Sequence, residues 1–426
     1  MKILDPIKKA LKLPDLRKRI IITLVILFVF RALAHIPLPG VNADRLAELF
    51  QSSQLLGLLD LFSGGGMQQF SLVTLGLNPY INASIIFQLL GMVFPKIEEM
   101  QKDNFGREKL AQLSRIITVP LALLQAYGMY FLLSNQGVLV DLPWHMILTL
   151  VVSMAAGTII LMWFGELLTE YGLGNGISMI IFAGIVSRLP SIIGQTAFTI
   201  NAENLFSYLF FAILAVGLIA LIIMVNEGVY NLPVHYARRL RSGGTVGAYK
   251  TYLPLKVNAA GVMPIIFAVS LVLLPSMVGG YLQNVPNERV AQAASKIVQL
   301  FDQNGIFYNA LYFFLVFGFT YFYTTVAFNV ERVADDIKKR GGFIPGIRPG
   351  KTTAKHLGYI LNRITLAGAF FLGLVAVLPS IVQAFTGLQN LSLGGTGILI
   401  VVSVVLETVR QFNSMLVTRS YEGFLD

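Results

Sequence analysis

The chain has 426 residues, 55% hydrophobic and 13% charged, with mean hydropathy +0.70 and a formal charge of +10. Soluble domains carry about 25% charged residues, so this balance excludes an ordinary soluble enzyme. The absence of cysteine excludes a disulfide framework, thiolate metal sites and a cysteine nucleophile. Basic residues beside apolar spans point to topology and anionic phospholipid rather than to nucleic acid.

In chain order, Lys8, Lys9, Lys12, Arg17, Lys18 and Arg19 precede the apolar run 20–30, and Ala32-Leu33-Ala34 follows. That succession fits a cleaved secretory signal. A retained first span is the reading adopted, because the charged leader is long and later segments need a first span to orient them. Roughly 20 apolar residues cross a bilayer core as a helix. Ten such stretches lie near residues 20–37, 71–93, 114–134, 146–168, 176–194, 204–226, 257–281, 306–329, 364–386 and 394–412. The fifth is the weakest, because Arg188 and Pro190 cut its apolar run.

Cytoplasmic loops collect Lys and Arg. With ten spans, 27 of the basic residues fall on the side of the termini and 4 on the far side (Arg45, Arg188, Arg289 and Lys296), with Arg31 inside the first span. Both termini are therefore expected in the cytoplasm of a multi-pass membrane protein. An even count also permits two five-helix halves of opposite orientation, 20–200 and 201–426, after a basic N-terminus over 1–19.

One segment is apolar but too short to span: Leu55-Leu56-Gly57-Leu58-Leu59-Asp60-Leu61-Phe62, then Ser63 and Gly64-Gly65-Gly66. It reads as a re-entrant half-helix on the outer side with the glycines as a flexible hinge, or else as an interfacial helix lying on the bilayer. Pro79, Pro120, Pro264, Pro275 and Pro379 lie within spans and predict kinks. Polar residues accompany two of these prolines: Asn78, Asn82 and Ser84 in one span, Asn258 in the other. Hydrogen bonds between helices there would hold them together weakly and reversibly.

Ion-coupled transporters bury ionisable side chains in their spans, yet these spans are nearly bare. Glu166 and Arg31 sit near span ends, where both can snorkel. His35, His145, His235 and His356 are scattered without metal spacing. No nucleophile-base-acid pattern is visible, so no enzymatic activity and no cofactor are expected. Gly346-Ile347-Arg348-Pro349-Gly350-Lys351-Thr352 suggests a phosphate loop, but it has three residues between its glycines where four are needed. A basic, glycine-rich loop offered to a partner is the better reading. It lies in the long loop 330–363, and the other long loop, 227–256, carries Arg238, Arg239 and Arg241 before Gly243-Gly244, the pattern of a basic hairpin tip.

An ordered set of motifs then resembles the SecY family of protein-conducting channel subunits. They are Val29-Phe30-Arg31, Ile36-Pro37-Leu38-Pro39-Gly40, Leu75-Gly76-Leu77-Asn78-Pro79-Tyr80-Ile81, Ala83-Ser84-Ile85-Ile86, Leu161-Met162-Trp163-Phe164-Gly165-Glu166, Gly174-Asn175-Gly176-Ile177-Ser178, Leu253-Pro254-Leu255-Lys256-Val257-Asn258, Phe343-Ile344-Pro345-Gly346-Ile347-Arg348-Pro349-Gly350 and Gly394-Gly395-Thr396. The resemblance implies an all-α polytopic membrane protein, with ten transmembrane helices in two inverted five-helix halves around an hourglass pore. It implies a waist of Leu77, Ile81, Ile177, Ile181, Ile266 and Ile400, and a re-entrant plug over 54–66. It also implies a lateral gate between the second and seventh spans, with Asn82, Ser84 and Asn258 as seam residues.

Implied partners are the motor ATPase SecA and the ribosome, docking at Arg238, Arg239, Arg241, Arg348 and Lys351, and the small subunits SecE and SecG. SecDF, YidC and nascent secretory and membrane-protein chains complete the set, with nucleic acid met only as ribosomal RNA. Secreted chains would cross, and apolar segments would leave sideways into lipid. A small-solute secondary transporter on inverted repeats is the alternative, and an insertase without a pore a third.

Overall fold

The apolar stretches form helices, and irregular backbone separates them where glycine and proline stand. The computed structural model describes residues 13–52, 56–57, 60, 63–139, 142–199, 205–236, 249–283, 287–302, 305–386 and 392–422. Along them run α1 (Pro14–Ala34), α2 (Ala43–Ser52), α3 (Asn78–Val93), α4 (Pro95–Lys102), α5 (Asn104–Asn135), α6 (Trp144–Tyr171), α7 (Gly176–Thr199) and α8 (Leu205–Glu227). The second part of the chain adds α9 (Met263–Leu282), α10 (Glu288–Leu300), α11 (Ile306–Ala327), α12 (Val330–Lys339), α13 (Lys351–Thr386) and α14 (Ser392–Glu422).

Among the described residues, six helices are long and apolar enough to cross a membrane, or seven if α3 and α4, bent by 118°, form one broken span. The expected count of ten is therefore not established, although every expected stretch contains a helix. The shortfall lies in α1, which carries Arg17, Lys18, Arg19 and Arg31, and in α7 and α8, whose apolar parts Gly176–Ser191 and Ala212–Glu227 are short. Large apolar side chains stand on the outside, among them Phe28, Leu124, Trp144, Phe206 and Phe314. This is the surface of a multi-pass membrane protein, where lipid covers what water would not.

Two proline expectations change. Pro79 and Pro264 occupy the first turn of α3 and α9 rather than kinking their interiors. An N–H is unpaired there in any helix, so its loss costs nothing. The second span accordingly begins as irregular backbone over 71–77, and Ser71, Val73, Thr74, Leu75 and Leu77 are all buried. Non-helical backbone at membrane depth requires such burial. Pro120, Pro190, Pro275 and Pro379 do lie inside helices.

Packing follows the chain. In the first part α3 packs on α5, α5 on α6 and α6 on α7; in the second α9 packs on α11, α11 on α13, and α14 on α8 and α13. Between the two parts, α3 and α5 meet α9, and α7 meets α14. One continuous apolar core runs through both.

The all-α expectation named no strands beyond a basic hairpin tip in the loop 227–256. The long loops contain β1 (Val229–Tyr236), β2 (Tyr249–Lys256) and β3 (Gly342–Phe343), in the order β2-β1-β3. β1 runs antiparallel to β2 from Val229↔Lys256 to Tyr236↔Tyr249, and to β3 at His235↔Phe343 and Tyr236↔Gly342. Leu232 and Val234, two residues apart, share one strand face. They join Ala334, Ile337, Ile344 and Leu357 in a second, separate apolar cluster. The two loops thus form one small folded unit instead of two independent tips.

Candidate functional site

The expected waist residues lie on helices or helix starts that face the central core. Leu77 is the N-cap of α3, and its carbonyl accepts from the Ile81 N–H at 2.9 Å. Asn175 caps α7, its Oδ1 accepting from the N–H groups of Ile177 (3.1 Å) and Ser178 (3.2 Å). The Gly176 N–H donates to Thr169 Oγ1 at 2.9 Å, locking the α6–α7 turn. Ile177 and Ile181 then fall one turn apart on α7. Asn258 fastens the approach to α9: its Oδ1 accepts from the Gly261 N–H at 3.0 Å and its Nδ2 donates to the Gly261 carbonyl at 3.2 Å. Ile266 follows in the first turn of α9. Leu77, Ile81, Ile181, Ile266 and Ile400 are fully buried in the central core, and Ile177 packs against it.

Below this cluster in the chain lies the turn after Asp60. Its Oδ1 accepts from the N–H groups of Met67 (2.7 Å) and Gln68 (3.0 Å). Its carbonyl accepts from the Gly65 N–H (2.8 Å) and Ser63 Oγ (3.0 Å). Arg188 Nη1 stands 2.6 Å from Asp60 Oδ2, and Arg188 Nη2 donates to Gln68 Oε1 at 2.8 Å. From α1, Arg31 Nη1 donates to the Gly64 carbonyl at 3.1 Å. Gly64 and Gly65 have φ of 82° and 80°, a region open to glycine. The expectation of a flexible hinge gives way to a bound turn, because both conformation and contacts fix these glycines. Leu56 and Asp60 are buried. Leu55, Leu58, Leu59, Leu61 and Phe62 lie outside the described residues.

The expected gate residues part company. Asn82 and Ser84 lie on α3, which packs on α9. Ser84 Oγ accepts from Gln88 one turn on (3.4 Å), and Asn82 Oδ1 is buried without a hydrogen-bond partner among the described residues. Asn258 turns the other way: its Nδ2 donates to Asn226 Oδ1 at 2.7 Å, and Asn226 Nδ2 to Ser403 Oγ at 3.0 Å. Among the described residues no hydrogen bond joins Asn258 to Asn82 or Ser84.

Arg348 and Lys351 are exposed where β3 leads into α13. The Arg348 carbonyl accepts from Thr353 Oγ1 at 2.9 Å and steadies that start. A shallow recess lined by Lys338, Phe343, Ile347, Arg348 and Pro349 lies beside it. Arg238, Arg239 and Arg241 lie outside the described residues. No group of three or more His, Asp or Glu side chains able to hold a metal ion occurs among the described residues.

The SecY family model matches residues 71–409. The chain belongs to the SecY family. The protein translocase subunit SecY of Streptomyces scabiei is 41% identical over 436 residues, covering 98% of each chain. That of Halalkalibacterium halodurans is 42% identical over 431 residues, covering 98% of this chain and 99% of its own. Among solved structures, one described as that of a protein conducting channel matches 97% of each chain with TM-score 0.64 at 17% identity. Another concerns the plug domain of the SecY protein, which stabilises the closed state of its channel. It matches with TM-score 0.66 at 18% identity over 97% of each chain. Sec61 in the canine ribosome-channel complex matches with TM-score 0.61. These distant structures share the fold.

Sequence reasoning missed several partners in this SecY-family chain. Asp60 is the one acid within the apolar run 55–62, and Arg188 interrupts the fifth stretch. Two opposite charges in otherwise bare apolar segments were the available signal. Glu166, expected to snorkel, is ion-paired with Arg115 and ties α6 to α5. Asn226, near the end of α8, carried no signal of its own.

Proposed function

We infer that this chain is the protein-conducting channel subunit of a bacterial translocase. It moves unfolded polypeptides across the cytoplasmic membrane and releases membrane-protein helices sideways into lipid. Identity of about 40% to translocase subunits, along nearly the whole length of both chains, carries this reading. The small-solute transporter alternative falls with it.

In this proposal the halves 20–200 and 201–426 enclose the pore, and both termini lie in the cytoplasm. Leu77, Ile81, Ile177, Ile181, Ile266 and Ile400 form the waist. Their burial supports this, because an aliphatic constriction resists wetting and closes around any peptide without reading its sequence. The turn after Asp60 belongs to the plug. The α3–α9 seam, with the unpaired Asn82 oxygen, is the lateral gate.

The subunit does no chemistry of its own. A motor ATPase of the SecA kind or the ribosome supplies the drive at the strand unit carrying Arg348 and Lys351 and at the tip Arg238, Arg239 and Arg241. SecE and SecG-like subunits accompany it, SecDF and YidC assist, and anionic phospholipid surrounds it.

The test is crosslinking from Ile81→Cys to a stalled secretory polypeptide, in a chain whose native sequence has no cysteine. Adducts that need both polypeptide and energised motor are expected. Adducts confined to cysteines in the β1–β3 unit would reduce the protein to a docking platform.

A further inference from the structure

We propose that Asp60 and Arg188 form a clasp that seats the plug turn on α7, and that this ion pair must separate before the channel opens. The inference rests on the reading of 54–66 as a plug.

Three observations carry it. First, the Asp60 side chain has no solvent exposure and that of Arg188 little, and the pair is closed at 2.6 Å. A buried carboxylate left without its partner is strongly unfavourable, so the closed arrangement holds only while both charges are present. Second, the pair belongs to a cyclic arrangement. Arg188 holds the Asp60 carboxylate with one nitrogen and Gln68 Oε1 with the other, while the Gln68 N–H returns to Asp60. Pulling the turn away breaks all of these together.

Third, the seat is shaped for the turn. A Cβ on Gly184, one helical turn before Arg188, would lie 2.2 Å from Gly64 Cα, and a Cβ on Gly64 would lie 2.6 Å from Phe30 Cζ. The backbone therefore fits between α7 and α1 without a side chain on either glycine. Arg31, from α1, binds the Gly64 carbonyl, and a Cβ on Gly65 would lie 3.6 Å from both Arg31 Nη1 and the Arg188 side chain. Two arginines therefore stand at the turn that Asp60 anchors. Neutralising Asp60 leaves two like charges at the same turn, which repel.

All these groups come from residues 30–188, within the first half. Asp60 and Arg188 are positioning residues here, since they hold the turn and need not touch the polypeptide.

The experiment reconstitutes the full chain, with the small subunits that copurify with it, into vesicles and reads passive ion leak without a motor. Asp60→Asn and Arg188→Gln should each raise leak at least about tenfold, given the cost of a broken buried pair. The double variant should leak no more than either single one, because the clasp acts as a unit. Arg188→Lys, which keeps the charge, should fall between Arg188→Gln and the native chain.

A second readout separates seating from folding. Ser63 is buried, so Ser63→Cys should resist a membrane-impermeant maleimide in the native background and react once Asp60→Asn is added. Thermal stability of the bundle is followed in parallel. Unchanged leak and unchanged labelling in both single variants would overturn the clasp, as would a loss of thermal stability that accounts for every effect. Ile81→Gly with Ile181→Gly serves as the control. If that control leaks and the clasp variants do not, only the clasp fails; if neither leaks, the channel reading itself fails.

Discussion

Asn258 and Asn226 are joined by a 2.7 Å hydrogen bond that ties the approach of α9 to the end of α8. Asn226 passes the connection to Ser403 on α14, while Arg410, also on α14, donates to the Asn226 carbonyl and to Glu227 Oε1. The second half is knit here by a polar chain that is buried at Asn226, Asn258 and Ser403. Asn258→Ala should cost roughly 1–3 kcal/mol, because the Asn226 amide oxygen is left buried without its donor. A fall of a few degrees in the unfolding temperature of the detergent-purified protein, with lateral-gate crosslinks unchanged, is the expected result. Weakened α3–α9 crosslinks at unchanged stability would return Asn258 to the gate seam.

The central cluster makes a second prediction. Ile81 and Ile181 are buried and stand on α3 and α7. Replacing both with Gly removes aliphatic bulk on two sides of the expected waist and leaves a gap that water can enter. Vesicles holding the double variant should leak chloride at rest, and the native protein should not. The variant should also lose about 4–8 kcal/mol of stability, at roughly 2–4 for each emptied aliphatic site. The experiment is therefore read at low temperature, where the fold persists. A tight seal would move the constriction elsewhere.

Much of this was legible in the sequence because its strongest signals are collective. Apolar length marks where helices lie, and the Lys and Arg distribution sets an expectation of two sides without any single residue deciding it. The residues proposed for the waist were not legible by themselves. Ile266 and Ile400 have the chemistry of any core position, and only motif resemblance singled them out. Helix starts were harder, because apolar length does not distinguish irregular buried backbone over 71–77 from helix. Pro79 and Pro264 carried the correct signal, since proline suits a first turn better than an interior. The strands were hidden in loops read mainly for charge. In β1 the alternation at Leu232 and Val234 is only two residues long and is interrupted by Pro233. The Asp60–Arg188 pair joins residues 128 apart, as the sequence numbering gives; spacing along a chain does not report such a pairing.

Gly184 offers a steric test of the same region. It lies in α7, where alanine is ordinarily the better helix former by about 1 kcal/mol. Here an added methyl group would press on Gly64 backbone, which has no flexible end to move aside. Gly184→Ala should therefore destabilise, by roughly 1–3 kcal/mol for overpacking. Gly318→Ala in α11, where a Cβ meets nothing within 4 Å, should be neutral or slightly stabilising. Comparing the two unfolding temperatures checks the assignment. Equal behaviour would mean the turn at Gly64 yields freely.

Arg348 is the position where docking can be tested with least damage to the fold. Its side chain is exposed, its backbone carbonyl supports the start of α13 through Thr353, and the apolar cluster under β1 does not include it. Arg348→Glu should leave the unfolding temperature within about 1 °C of native, because surface substitutions away from buried features change stability by under about 0.5 kcal/mol. Motor-driven transport of a secretory polypeptide should nevertheless fall at least about tenfold, as losing one partner of a buried interfacial charge pair costs about 2–5 kcal/mol. Lys351→Glu, also exposed and three residues further on, should fall less if it lies at the rim of the contact, where a charge alters association rate and salt dependence more than hold. Transport at the native rate by Arg348→Glu, in vesicles containing equal amounts of folded protein, would remove Arg348 from the coupling surface. The tip at Arg238, Arg239 and Arg241 would then be the place to reverse charge next.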